Sequence, residues 1–399
     1  MEPYTIKNLP ELLSFYLGNS KSIKKFEVSR LTAPGENFGS VMLKVDILLT
    51  NNKTGGEEML YAVAKMLPES ELFRKIFKVQ ETFLNEMAFY EIIVPTLHDF
   101  QRRVGVTNVL DCFSECLATR KNLLGGSCII DDDAVLIFEN LMADGFINID
   151  RFEGFDLDTT QLILRDMALF HAVPLALRMK KPEVFRNYIE PYCSRFREGQ
   201  DIMDPMIRAS EAVLKENKAV ASWAYKVNES FYKPRCASRE PFVTLIHTDL
   251  WTNNTMQKFV DRKPVANKFI DFQGFYYGSP ASDLLFFLWS SVPKEVLELH
   301  FDDLIKYYYD HFIKAVNDHS FIDSRLNFQN FMREIEIEFE YEFGHALVYC
   351  LTVVSSKAGS RNMNELGTPE DYLKRITLKE KENAWFIVRD SERRGWLKK

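Results

Sequence analysis

Hydrophobic and polar positions change their period along the chain, and each change predicts an element. Leu9, Leu12, Leu13, Tyr16 and Leu17 recur at helical spacing, which predicts a short leading helix with Asn8 at its cap and Gly18 at its end. Phe26 and Val28 alternate with polar neighbours. After the turn-forming stretch 33–39, Val41, Leu43, Val45 and Ile47 alternate in the same way, as in a hairpin around a glycine-containing loop. Past a second turn at 51–56, Met59, Tyr61, Val63 and Lys65 share one face of a third strand, which Pro68 closes. From Glu69 to about Leu97 the apolar positions Phe73, Ile76, Phe77, Phe83, Met87 and Tyr90 suit a helix packed on the sheet, with Glu86 inside it. Strands at 109–119 and 134–138, separated by a loop containing Gly125 and Gly126, complete a small and mostly antiparallel sheet.

Beyond Asn140 the period becomes helical, as in 160–178 with Ile163, Met167 and Phe170 on one side. Short strands at 243–246, 255–259 and 265–270 interrupt the helices, and a polar loop joins the first two. Neither an internal repeat nor a long linker is visible. The expected fold class is therefore α+β in two lobes: residues 1–140 form a leading helix and a β-rich lobe, and residues 141–399 a larger, mainly helical lobe.

Composition narrows the function without naming it. A chain of 399 residues exceeds one ordinary core, consistent with about two domains at roughly 100 to 200 residues each. With 50 Lys and Arg against 57 Asp and Glu, the net charge of −7 argues against nucleic acid or an anionic membrane as the main partner. The cysteines Cys112, Cys116, Cys128, Cys193, Cys236 and Cys350 form none of the C-x-x-C pairs of a zinc or redox site. The first residues lack a signal-peptide pattern, and the apolar runs 284–289 and 346–351 fall far short of the roughly 20 residues a membrane span needs. A cytosolic protein is expected. Oligomeric state is not legible.

The chemistry concentrates in His247-Thr248-Asp249-Leu250-Trp251-Thr252-Asn253-Asn254, followed seventeen residues later by Asp271-Phe272-Gln273. Phosphoryl transfer needs a carboxylate to orient the acceptor hydroxyl and oxygen ligands to hold Mg2+ against the phosphates of ATP. Asp249 fits the first need, and Asn254 and Asp271 fit the second. Lys65 ends a strand in Val63-Ala64-Lys65, and Glu86 follows twenty-one residues later in a helix, the arrangement of a phosphate-holding lysine and its partner. Gly35, Asn37, Phe38, Gly39 and Ser40 lie between two strands, where backbone N–H groups can cover phosphates. Glu139 and Leu141 mark the boundary from sheet to helix, where a hinge backbone would bind adenine. Taken singly, Asp249 could cap a turn, Lys65 could be a solvated strand end, and Glu86 an exposed carboxylate. His247 reads as a structural support for the loop, Asp283 as a helix cap that braces it, and His171, His345 and the run Tyr307-Tyr308-Tyr309 as core packing. Only twelve positions separate Asp271 from Asp283, too few for the activation segment of an enzyme that acts on proteins. A small-molecule hydroxyl acceptor is expected.

These residues resemble the ecdysteroid-kinase-like family of insects, also called CHK-kinase-like, a branch of the choline and aminoglycoside kinase superfamily. The resemblance covers about residues 31–351. It rests on Gly35-Glu-Asn-Phe, Ala64-Lys65, Phe83-x-x-Glu86-x-x-Phe89-Tyr90, Phe170-His171-Ala172, His247-x-Asp249-Leu250-Trp251-x-Asn253-Asn254 and Asp271-Phe272-Gln273. It implies a bilobal protein-kinase-like fold, Asp249 as the catalytic aspartate, Asn254 and Asp271 as magnesium ligands, and Lys65 with Glu86 as the phosphate-holding pair. Ecdysteroids or other hydroxylated compounds are the acceptors it suggests. Thr248 departs from the family, in which glycine is commoner at that position. A catalytically silent pseudokinase that binds nucleotide or a partner is the competing reading, and intact Asp249, Asn254, Asp271 and Lys65 weigh against it.

Overall fold

The computed structural model describes residues 4–32, 39–126, 129–193, 203–235, 239–355 and 367–398. The chain forms two compact units that are not contiguous in sequence. The first takes the chain up to Tyr90 together with Phe113–Phe146, and the second takes Glu91–Cys112 and most of the chain from Ile147 onward.

The first unit is built on a five-stranded antiparallel sheet of β1 (Lys21–Arg30), β2 (Val41–Asn51), β3 (Glu57–Met66), β4 (Cys116–Arg120) and β5 (Val135–Glu139), in the order β1-β2-β3-β5-β4. Strict alternation along β2 sends Leu43, Val45 and Ile47 to one face. There they meet Ala62 and Ala64 of β3, Ile137 of β5 and the leading residues Leu9, Leu13 and Leu17 in a single core. The leading segment is not the one helix its spacing predicts. It forms two single turns, Leu9–Leu12 and Ser14–Leu17, and Asn8 sits at φ 54° without a side-chain cap. Gly18, at φ 58°, ends it as expected.

The long helix predicted from Glu69 is also broken. It runs as Glu71–Ile76 and Val79–Ala88, separated where Lys78 takes φ 44°. A π-turn at Phe89–Ile93 follows, and then the helix Val94–Arg103. Pro95 does not stop this last helix, because it falls in the first turn, where its missing N–H leaves no helical bond unmade. Of the strand expected at 109–119, the end joins the sheet in β4 (Cys116–Arg120), and Phe113 makes an isolated bridge.

The second unit is mainly helical. Asp156 caps the helix Leu157–Lys180 by accepting the Thr159 N–H at 2.8 Å, and the helix Lys294–Asp318 packs along it. The helix Pro280–Ser291, capped by Ser279 and buried along its whole length, packs on Phe328–Val348. Gly344 lets that last helix approach Tyr225–Phe231 backbone to backbone, and its N–H reaches Ser230 Oγ at 2.8 Å. Two small sheets, one of two strands and one of three, interrupt the helices. Thr244–Ile246 pairs with Tyr276–Gly278, and Thr255–Val260 with Lys263–Phe269. Among the described residues, no helix is long and apolar enough to cross a membrane.

Candidate active site

In the second unit a polar loop leaves the strand Thr244–Ile246 and enters the strand Thr255–Val260. The register of the two pairs decides what it faces. Thr255 lies opposite Phe269, and the Ile270 N–H donates to the Asn254 carbonyl at 3.0 Å. Asn254 and Asp271 are therefore brought side by side at the ends of paired strands. Phe272 is fully buried against Phe170 and His247, with ring centroids at 5.7 and 4.6 Å, so the residue before it is anchored by a core side chain.

Asp249 is held on both carboxylate oxygens. The Asn254 amide donates to Oδ2 at 2.8 Å and also to the Asp249 carbonyl at 2.8 Å. The Tyr349 hydroxyl donates to Oδ1 at 2.8 Å. Because the Asn254 nitrogen is committed to Asp249, its Oδ1 is the atom of that side chain able to accept or to ligate.

His247 supports this loop, as its position in the sequence suggests. Its Nε2–H donates to the Ile270 carbonyl at 3.0 Å, and its Nδ1 accepts the Asp249 N–H at 3.3 Å. Burial holds its pKa below the usual histidine value. A neutral ring that donates on one side and accepts on the other ties the Asp249 loop to the strand leading to Asp271.

Asp283 braces the same loop, but not as a helix cap. Ser279 holds that position by accepting the Ala281 N–H. Asp283 lies inside the helix, buried, and accepts the His247 N–H at 2.6 Å and the Thr248 N–H at 2.8 Å. It also takes His171 Nε2 at 3.1 Å, and the other ring nitrogen of His171 pairs with the Tyr308 hydroxyl at 2.6 Å. His171 and Tyr308 are thus core residues with a polar task, and burial pushes the Tyr308 phenol well above its usual pKa.

In the first unit Lys65 lies on the central strand, opposite Met42 of β2 and Leu136 of β5. It alternates out of phase with Ala62 and Ala64, so it leaves the sheet on the face that carries the helix Val79–Ala88. There its Nζ meets Glu86 Oε2 at 2.5 Å, with the side chains only 4% and 1% exposed. Ser40 precedes β2, with its Oγ at 3.6 Å from Met42 Sδ, so it enters the strand two residues from the partner of Lys65. Gly39 stands beside it, and Gly35, Asn37 and Phe38 lie outside the described residues. Glu139 ends β5, where its carboxylate accepts the Glu115 N–H at 2.8 Å, and Leu141 is buried just after it.

Tyr349 was not among the residues singled out in the sequence. It lies a hundred positions from Asp249, in apolar helical sequence whose period reports packing alone, and no local signal marks it.

The comparisons bear on these parts together. The family model described as ecdysteroid kinase-like matches residues 34–321, which span β2 to β5, Lys65, Glu86 and the whole Asp249–Asp283 stretch. The chain belongs to the ecdysteroid kinase-like family. A comparison with curated proteins finds no match.

Solved structures similar to this ecdysteroid kinase-like chain include a mutant aminoglycoside 2'-phosphotransferase-IIIa with GDP, at 11% identity and TM-score 0.44, covering 98% of this chain and 99% of that one. A Ralstonia eutropha protein assigned as an aminoglycoside phosphotransferase is similar at 13% identity and TM-score 0.45, covering 95% and 98%. The GDP and kanamycin complex of APH(2")-IIIa follows at 13% identity and TM-score 0.40, covering 85% and 96%. The expected α+β organisation, with a β-sheet unit and a larger, mainly helical unit, is the organisation observed in this family member.

The donor set also bears on a metal. Among the described residues there is no cluster of three or more His, Cys, Asp or Glu side chains, so an all-protein cage of the calcium or zinc kind is not present there. Mg2+ asks for less, because it keeps waters and uses one or two protein oxygens beside phosphate. An amide oxygen on Asn254 and a carboxylate on Asp271, carried by backbone segments that meet at the bond from the Ile270 N–H to the Asn254 carbonyl, are ligands of the kind that demand asks for.

Proposed function

We propose that this chain transfers the terminal phosphate of ATP to a hydroxyl of a small molecule, an ecdysteroid or another hydroxylated metabolite. The observation that carries the reading is the Asp249 carboxylate, held at both oxygens at the end of a loop that also presents Asn254 beside Asp271. A carboxylate fixed in this way can accept the proton of an incoming hydroxyl and aim its oxygen at phosphorus, which is most of what protein contributes to phosphoryl transfer. Asn254 Oδ1 and the Asp271 carboxylate would hold Mg2+. When bound, the ion supplies charge neutralisation to the phosphates.

The first unit contributes the nucleotide-holding part. Lys65, kept in place by Glu86, is a fixed ammonium for phosphate oxygens. Gly39 and Ser40, just ahead of β2, would offer backbone N–H groups to the phosphates, and the backbone at Glu139 and Leu141 would take adenine. The short path from Asp271 to the helix Pro280–Ser291 favours a small acceptor over a polypeptide. We place the reaction in the cytosol.

The test is direct. The purified chain is incubated with Mg-ATP and a pool of hydroxylated metabolites that includes ecdysteroids, and phosphate conjugates are read by mass. The expected result is a conjugate formed by the wild type and reduced at least 100-fold in Asp249→Asn. Equal product from both proteins, or none from the wild type, would refute the reading.

A further inference from the structure

We infer that Tyr349 is a positioning residue for phosphate transfer, setting the direction in which the Asp249 carboxylate faces. This rests on the phosphotransfer reading above and adds a residue to it. A carboxylate on a single methylene can swing about its last torsion unless both oxygens are engaged. Asn254 engages Oδ2 at 2.8 Å and Tyr349 engages Oδ1 at 2.8 Å, and the two bonds come from opposite ends of the group. A carboxylate oxygen can accept more than one hydrogen bond, so a brace on each oxygen is compatible with a hydroxyl donating to the same group.

The surroundings of Tyr349 suit a brace better than a surface tyrosine. Its ring is met edge-on by Trp251 at 5.1 Å and by Phe286 at 5.0 Å, with interplanar angles of 83° and 79°. Both neighbours are buried, so the ring has little freedom to swing its hydroxyl away. The backbone at Tyr349 leaves the α-helical ladder of Phe328–Val348 and opens the π-turn Tyr349–Val354. Side chains pin that turn: Cys350 Sγ–H donates to the Trp289 carbonyl at 3.1 Å, and the Thr352 hydroxyl to the Val348 carbonyl at 2.7 Å. A π-turn is an uncommon departure that recurs at functional sites. Here it begins at the residue that reaches Asp249.

Tyr349→Phe isolates the hydroxyl, because the ring and its packing remain. The full chain is assayed with Mg-ATP and the acceptor found in the screen above. The expected result is a kcat lower by roughly 10- to 100-fold, the scale of a misaimed catalytic group, with KM for ATP and for acceptor within about twofold of wild type. Placing 4-aminophenylalanine at 349, which restores a donor, is expected to recover part of the rate. An active wild type with an equally active Tyr349→Phe would overturn this role and leave the phosphotransfer reading intact. A loss carried in KM would also overturn it, as would phosphate found on Tyr349 itself after incubation with Mg-ATP, since the phenol would then be an acceptor. A wild type that transfers no phosphate removes the underlying reading, and this role with it.

Discussion

A β-branched side chain in the left-handed region carries a strain of about 1–3 kcal/mol, and Thr248 sits there at φ 72°. The surroundings compensate. Its N–H goes to Asp283 Oδ1 at 2.8 Å and its hydroxyl to the Gly274 carbonyl at 2.9 Å, which joins the loop carrying Asp249 to the one following Asp271. A Cβ at Gly274 would stand 3.0 Å from the Thr248 hydroxyl, so a larger residue there would press on this bond. Thr248→Val keeps the branch and loses the hydroxyl bond, so it is expected to lower stability by about 1–3 kcal/mol in urea unfolding. Thr248→Gly also loses the bond but removes the strain, and should fall nearer to wild type. The sequence marked Thr248 as a departure from glycine, and the positive φ explains why glycine is the commoner choice. That its hydroxyl would make a tie no glycine can make was not legible, since the Gly274 partner is twenty-six positions away.

At the scale of elements, the helix Phe328–Val348 that leads to Tyr349 is fastened by charge. Glu342 is fully buried and accepts from Arg235, from Ser282 at 2.6 Å and from His345 at 2.9 Å. Burial pushes its carboxyl up, but Arg235 and the hydrogen bonds from His345 and Ser282 outweigh it and bring the pKa down to about 2. A depressed carboxyl pKa contributes stability that is complete above the unfolded-state value, near 4.5, and lost as pH falls toward 2. Glu342→Gln is therefore expected to be less stable than wild type at pH 7 and to lose less on going from pH 4.5 to pH 2, as read by denaturant midpoints across that range.

The strands and the long helices were legible at this scale, because a period of two or of 3.6 is a local property. The breaks at Leu13, Lys78 and Phe89–Ile93 were not, because backbone turns of that kind answer to packing. Within the site, the sequence displayed the candidate side chains and two supports of their loop, His247 and Asp283, but not Tyr349, whose partner lies a hundred positions away. Asp283 was read as a cap because it follows Ser279-Pro280, and only the register of the loop shows what it holds.

For the whole molecule, the stretch Glu91–Cys112 belongs to the second unit although it is flanked by segments of the first. Hydrophobic period cannot report such an exchange, since buried positions look alike whichever core they enter. The stretch supplies Leu97 and Phe100 to the interior, the Cys112 carbonyl to the Phe269 N–H at 2.7 Å, and Gln101 to His319 at 3.1 Å. A chain starting at residue 147 would expose these partners and is expected to aggregate in size-exclusion chromatography. One with residues 91–112 joined to residue 147 by a glycine-serine linker should elute as a soluble species with near-ultraviolet dichroism.

The buried line from Tyr308 through His171 to Asp283 reaches the loop that carries Asp249 from a helix that carries none of the proposed catalytic groups. Mutational drift along that helix is consequently not free. A phenylalanine at 308 would strand an imidazole nitrogen in a dry interior, so lineages can change these three positions together far more readily than one at a time.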